Sequence, residues 1–269
     1  MIRKHIENFD LCQIAESGQC FRMRMQDENT AVVVAGNKIL HVFNAGEEEF
    51  EFCCDQKEFE SFWYDYFDLG SDYGAYIDSI DRSDDFLLRA AGYGRGIRIL
   101  RQDPFETLIS FIISQRKNIP AIQASVDKLC RTCGEKIAKD TYAFPTPEAI
   151  AGLSEEELKS CSLGYRAPYV SETAKRVASG ETDPEALREY NDEELLSELL
   201  SFYGVGKKVA SCVMLFAYHR TASFPVDVWI QRVMDEHYHG RFPVEKYPGY
   251  AGILQQYMFF YSRENAGKR

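Results

Sequence analysis

Two β-rich runs, Ala31-Val32-Val33-Val34-Ala35 and Lys38-Ile39-Leu40-His41-Val42-Phe43, flank Gly36-Asn37 and predict a hairpin closed by a two-residue reversal. Phe50-Glu51-Phe52-Cys53 reads as a further strand, and Ser17-Gly18-Gln19-Cys20-Phe21-Arg22-Met23 as a turn running into one. From Gln56 the period changes. Phe59, Phe62, Trp63, Tyr66 and Phe67 recur at three- and four-residue steps, which is one buried face of a helix. Residues 78–91 read as the next helix, ended by Gly92-Tyr93-Gly94. Asp103-Pro104-Phe105-Glu106 is a strong helix start: a capping side chain, proline in the first turn and an acid behind it. Further helices are expected over 120–132, after Ser154, and over 169–179, 191–200, 227–237 and 250–261. The fold class is α+β, with a small antiparallel sheet domain over 1–80 followed by a helical body over 81–269.

The helix over 191–200 leads into Phe202-Tyr203-Gly204-Val205-Gly206-Lys207-Lys208-Val209. Two glycines one residue apart permit a left-handed turn and close approach of the backbone to a bulky neighbour. The helix that follows offers unpaired N–H groups, which suit a phosphate. Lys207 and Lys208 oppose the dipole of that helix, so helix stability does not account for them. Taken alone, the stretch also fits a corner between helices with two solvated lysines. Asp227, in Phe224-Pro225-Val226-Asp227-Val228-Trp229, changes the weighing, because lysine and aspartate in one cleft have a chemistry. A deprotonated amine attacks a sugar C1′, displaces a base and leaves an imine, while a carboxylate steadies the oxocarbenium-like charge. The other reading of Asp227 is a helix cap, and the two are compatible.

Composition sets limits. The 269 residues are 45% hydrophobic and 27% charged, with a net charge of −11; this argues against general coating of nucleic acid but leaves room for a local basic face. Arg89, Arg95, Arg98 and Arg101, then Arg116 and Lys117, then Lys207 and Lys208 are the basic groups. No apolar run is long enough for a membrane span, and the start lacks a secretory signal, so a cytoplasmic protein is expected, nucleoid-associated if prokaryotic. The eight cysteines are expected to be reduced, and Cys130-x-x-Cys133 has no second pair or histidine at zinc-finger spacing.

The hairpin with Lys208, followed by Pro225-Val226-Asp227-Val228, resembles the helix-hairpin-helix/Gly-Pro-Asp superfamily of base-excision DNA glycosylases. Within it the chain resembles the 8-oxoguanine DNA glycosylase/AP lyases over nearly its whole length. Ser17-Gly18-Gln19-Cys20-Phe21-Arg22, Leu100-Arg101-Gln102-Asp103-Pro104, Leu163-Gly164-Tyr165-Arg166-Ala167 and Tyr250-Ala251-Gly252 with Gln255 and Phe259 carry the likeness. The resemblance implies that Lys208 is the Schiff-base nucleophile and Asp227 the catalytic carboxylate. Gly204, Gly206 and Lys207 would grip DNA backbone, with a monovalent cation on hairpin carbonyls and no other metal or cofactor required. Cys212 and Phe259 would sandwich the flipped base. Gln255 would read its Watson–Crick edge, and the Gly18 carbonyl would accept the N7–H that distinguishes 8-oxoguanine. Cys212 stands four residues after Lys208, and Phe259 four after Gln255, so each pair shares a helix face. The C-terminal helix, 250–262, would complete the pocket.

Tyr165 would fill the gap left by the flipped nucleotide, and Arg166 would face the orphaned base. The expected partner is duplex DNA holding 8-oxoguanine, bound by a monomer, with no membrane. Departures matter too. Arg116 stands where the animal-type enzymes have an asparagine, and Ala121 where they have an arginine, so relaxed discrimination of the opposite base is expected. Trp229 replaces their histidine. Two other readings are an endonuclease III-type glycosylase, whose iron–sulfur cluster lacks its ligands here because no cysteine follows Cys212, and a non-enzymatic helix-hairpin-helix module, which leaves Lys208 with Asp227 unexplained.

Overall fold

The computed structural model describes residues 1–266. Five antiparallel strands, β1 (Ile2–His5), β2 (Met23–Met25), β3 (Thr30–Ala35), β4 (Lys38–Gly46) and β5 (Glu49–Phe52), form a sheet in the order β1-β5-β4-β3-β2. Ala35 pairs with Lys38 across the Gly36-Asn37 reversal, as the sequence predicts. Val33, Leu40, Val42, Phe50 and Phe52 turn inward. They pack on a helical run, Gln56–Glu58, Phe59–Trp63 and Tyr64–Tyr66, through rings such as Phe52 and Phe59 with centroids 5.0 Å apart. Burying each such ring is worth about 1.5–3 kcal/mol. In the middle of the run the Tyr64 N–H reaches back five residues to the Phe59 carbonyl. This π turn accommodates the crowded aromatics without ending the helix.

The helical body has its own core, from Phe86 and Leu87 through Ile109, Ile112 and Val213 to Leu254 and Tyr257. Tyr73 and Ile80, on the sheet side of the division at residue 80, also bury in it. The helix expected over 78–91 begins later, at Asp85, and a separate short helix, Tyr73–Asp78, precedes it. Asp81 turns the chain between them by accepting the Ser83 N–H at 3.0 Å, and Asp84 then caps Asp85–Tyr93 at Leu87 N. The other helix starts follow their caps: Asp103 for Pro104–Ser114, Asn118 for Ile119–Cys133, a Ser154/Glu157 capping box, and an Asn191/Glu194 box for Asp192–Ser201.

Buried polar groups join sheet and body. Arg98 is buried and donates to the carbonyls of Glu7, Asn8, Asp68 and Ser71. Asp68 accepts from Tyr73 Oη at 3.0 Å and Arg101 Nη2 at 2.8 Å, with His219 Nε2 at 3.3 Å. The cysteines are all free. Burial pushes the thiols of Cys130 and Cys133 up to about 12 and about 11, and neither joins a cluster with metal-binding geometry among the described residues.

Candidate active site and nucleic-acid interface

Asp192–Ser201 ends at Phe202, and Lys207–Phe216 begins after four more residues. Phe202 and Val205 bury and pin the turn from inside. Gly204 lies at φ +81°, and a β-carbon on it would sit 2.4 Å from the Tyr169 ring, so only glycine lets the turn close. Gly206 caps the second helix in extended conformation without a side-chain bond, which leaves the helix mouth open to an anion. Lys207 projects into solvent. Lys208, one residue on, is half-buried, with Nζ 5.0 Å from the centre of the Phe111 ring.

Lys208 shares a small cavity with Cys212 one helical turn on, with Asp227, and with Gly18, Gln255 and Phe259 from the two ends of the chain. Phe111, Phe216, Pro225 and Gln256 complete its wall. The volume is about 40 Å³, room for a water or two and not for a purine. It opens on a groove of about 1210 Å³ that Gly18, Phe111, Lys208, Asp227 and Phe259 also border, beside Arg116, Lys117 and Trp229.

Each side chain is held by its neighbours. Asp227 caps Val228–His237, one carboxylate oxygen accepting Trp229 N and Ile230 N at 2.9 Å each, so this cavity-lining residue is a helix cap. Burial pushes the Cys212 thiol up while the neighbouring Lys208 amine pulls it down; burial prevails, so the group is a neutral thiol. Gln255 is buried and donates through Nε2 to the Pro225 carbonyl at 3.0 Å, while its Oε1 has no partner among the described residues. Gly18 lies at φ +77°, and a β-carbon there would meet Ile119 Cδ1 at 3.2 Å and Phe259 Cε1 at 3.3 Å. The fully buried Gln19 fixes this turn: its amide donates to Arg98 O and accepts from Leu100 N, both at 2.8 Å.

The groove-side loops differ from one another. Arg116 is exposed at φ +53°. Tyr165 is half exposed, at 50%, on the far loop. Arg166 departs from the position expected of a group facing an orphaned base. It is buried, and its guanidinium donates to the carbonyls of Leu163 and Gln115 and lies 4.4 Å from the Tyr165 ring centre. An arginine after an exposed tyrosine reads as solvent-facing in sequence; of the two carbonyls that draw it inward, that of Leu163 is local and that of Gln115 comes from a loop some fifty residues earlier. Gln19, Phe111 and Gln256 also escape sequence reading. Phe111 sits in an apolar helix where every position looks like core, and the two glutamines carry no periodic signal.

A five-stranded sheet, a helical body and a lysine-bearing hairpin together match two adjoining families. Residues 1–108 match the family described as 8-oxoguanine DNA glycosylase, N-terminal domain, and residues 109–242 match HhH-GPD superfamily base excision DNA repair protein. The 8-oxoguanine glycosylase/lyase of Clostridium acetobutylicum, solved with double-stranded DNA containing cytosine opposite 8-oxoguanine, superposes with a TM-score of 0.91. It is 37% identical, over 97% of this chain and 93% of that one. A probable N-glycosylase/DNA lyase of Methanothermobacter thermautotrophicus is 31% identical over 64% of this chain, and the N-glycosylase/DNA lyase of Saccharomyces cerevisiae 35% identical over 54%. These matches span 65% and 42% of the two curated relatives' own lengths. The architecture defines an HhH-GPD base-excision repair protein. Within that class the chain belongs to the 8-oxoguanine DNA glycosylase family.

Proposed function

We propose that the protein is a bifunctional DNA glycosylase/AP lyase that flips 8-oxoguanine out of duplex DNA, excises it, and then cuts the strand. The observation that carries this reading is the convergence of Lys208, Cys212, Asp227, Gly18, Gln255 and Phe259 on one cavity. The Lys208 amine, once it has given up its proton, attacks C1′, and the C1′–N9 bond breaks with its electrons leaving on the base, which takes up a proton. The nitrogen then loses a proton and the C1′–O4′ bond breaks, O4′ taking a proton as the sugar ring opens, which gives the Schiff base. Removal of a C2′ proton then expels the 3′ phosphate by β-elimination. Asp227 is held rigidly by its two backbone bonds and keeps its second oxygen for the positive charge that develops at the sugar. Gln255 brings an unpartnered Oε1 to the base edge, where an N–H of the purine would satisfy it.

At about 40 Å³ the cavity is too small for a purine, so a base enters only when wall residues such as Phe259 shift. The open mouth of Lys207–Phe216, with Lys207, would receive backbone phosphate. The Gly204 carbonyl accepts Gln115 Nε2 at 3.1 Å; a monovalent cation on the hairpin carbonyls would add to the phosphate grip, and none of the steps above depends on one. With Arg116 bordering the groove and alanine at 121, discrimination among opposite bases should be relaxed. A preference for cytosine above about 100-fold, the worth of roughly two base contacts, would contradict this.

Borohydride trapping tests the central claim. Native protein should form a covalent adduct on a duplex holding 8-oxoguanine, and Lys208→Gln should form none. No adduct with the native protein would overturn it.

A further inference from the structure

Lys117 borders the groove. Its Nζ donates to the Ser162 carbonyl at 2.6 Å and to the hydroxyl of the buried Ser125. Lys128, on the exposed side of Ile119–Cys133, donates through Nζ to the Ser162 hydroxyl at 2.8 Å. Two ammonium groups thus share one serine, and every acceptor they use is a neutral oxygen. Burial, together with the positive charges of Arg166 and Lys128, pulls the Lys117 amine below its ordinary 10.5. The chain has 42 acidic residues against 31 basic ones, yet no carboxylate pairs with Lys117 or Lys128 among the described residues. Lys159 and Lys175 show the contrast, held by Glu155 at 2.7 Å and by Glu172 at 2.9 Å. Like charges gathered without a counter-charge repel one another, and an anion bound there would relieve that repulsion.

We propose that Lys117 and Lys128, bridged by Ser162, form a site for one backbone phosphate of the bound duplex. This rests on the glycosylase reading above only in taking DNA as the partner. A phosphodiester carries one charge over two non-bridging oxygens, one for each ammonium, and lysine serves such a group as a compact point charge. Bonds from an ammonium to an anionic oxygen are stronger than those to the neutral oxygens of Ser162 and Ser125, so the phosphate gains what the serines give up. Until DNA arrives, Ser162 keeps both long side chains at one place and lowers the cost of ordering them on binding. The site stands on Ile119–Cys133, the residues before it and the loop at Ser162, away from the open helix mouth at Lys207, so the duplex would be gripped at two separate elements.

Anisotropy with a duplex holding a tetrahydrofuran abasic-site analogue, repeated over a salt series, reads the site. The double variant Lys117→Ala/Lys128→Ala should bind about tenfold more weakly, the size of one lost charge-assisted hydrogen bond. Its log–log salt slope should shrink by about 0.9, one phosphate's worth. Lys159→Ala/Lys175→Ala removes the same charge from carboxylate-paired positions and should leave the slope as it is. Neutral methylphosphonate linkages, placed one at a time along each strand, then locate the phosphate: at one linkage the native protein should lose affinity and the double variant should lose none. Lys128→Ala alone, at an exposed position, keeps the test open should the loss of Lys117 disturb its loop, and its deficit should fall at that same linkage. The proposal is overturned if the double variant binds with the native slope, if the paired-lysine control shifts the slope as much, or if no linkage separates native protein from variant. If the native protein forms no borohydride adduct on 8-oxoguanine, the glycosylase reading falls while analogue binding still decides the phosphate site.

Discussion

A methyl group on Gly18 would press on Ile119 and Phe259 and would also have to accept φ +77°. Left-handed backbone costs a non-glycine residue about 1–2 kcal/mol before any clash is counted. Gly18→Ala should therefore lower unfolding stability by about that amount, read by urea denaturation. It should also slow release of 8-oxoguanine far more than β-elimination at a preformed abasic site, because only the first step needs the base pocket. Locally, Gly18 is any turn glycine; its role became legible only through resemblance, since the residues that confine it lie at 119 and 259. Lys208 and Asp227 were easier, because a lysine against the helix dipole and a cap aspartate are each odd or rigid in ways that sequence shows. Arg166 was the opposite case. Its charge pointed outward on paper, and two backbone carbonyls turn it inward.

Helix starts are written in short local motifs, so they were readable. Asn191 accepts Glu193 N and Glu194 N at 3.0 Å and receives the Glu194 side chain in return. Asn191→Ala should cost about 1 kcal/mol in chemical denaturation, the usual worth of a cap, and leave borohydride trapping at saturating DNA intact. Where a segment depends on partners far off, the reading broke down. Asp81 and Asp84 keep 79–84 out of the helix expected over 78–91, and the small Lys136–Ala138 strand with Thr141–Tyr142 carries too few residues for a period. The hairpin shows how one element can answer to two demands. Gly204→Ala would drive a β-carbon into Tyr169, opening the turn; duplex affinity should fall by at least about tenfold, consistent with misplacing several phosphate-facing amides, as measured by anisotropy at fixed salt.

Sheet and body meet at Asp68, and acidity should test that joint. Burial alone would raise this carboxyl, but the hydrogen bonds and charges of His219 and Arg101 outweigh it and hold the group below its ordinary 3.8. A depressed carboxylate stabilises the fold above the unfolded value and loses that contribution as pH falls through the folded one. Asp68→Asn should cost roughly 3 kcal/mol at pH 7, the penalty for breaking a buried pair, and should flatten the loss of stability below pH about 4. Urea midpoints at both pH values give the answer. The molecule carries a net charge of −11, so attraction to DNA rests on a few groups. Binding should fall with salt at a log–log slope of roughly −3, near three phosphates' worth.

Gly18 and Phe259 touch from nearly opposite ends of the sequence. A ribosome delivers the hairpin and Lys208 well before Ala251–Asn265, the segment bearing Gln255 and Phe259. On the proposed roles, a growing chain therefore carries its reactive amine before it has a complete pocket for choosing a base, and selectivity is the last property to arrive. A chain stopped short of residue 251 also lacks Leu254 and Tyr257 of the body's core, so it should fail to fold and bind no abasic-site duplex, as circular dichroism and anisotropy would report.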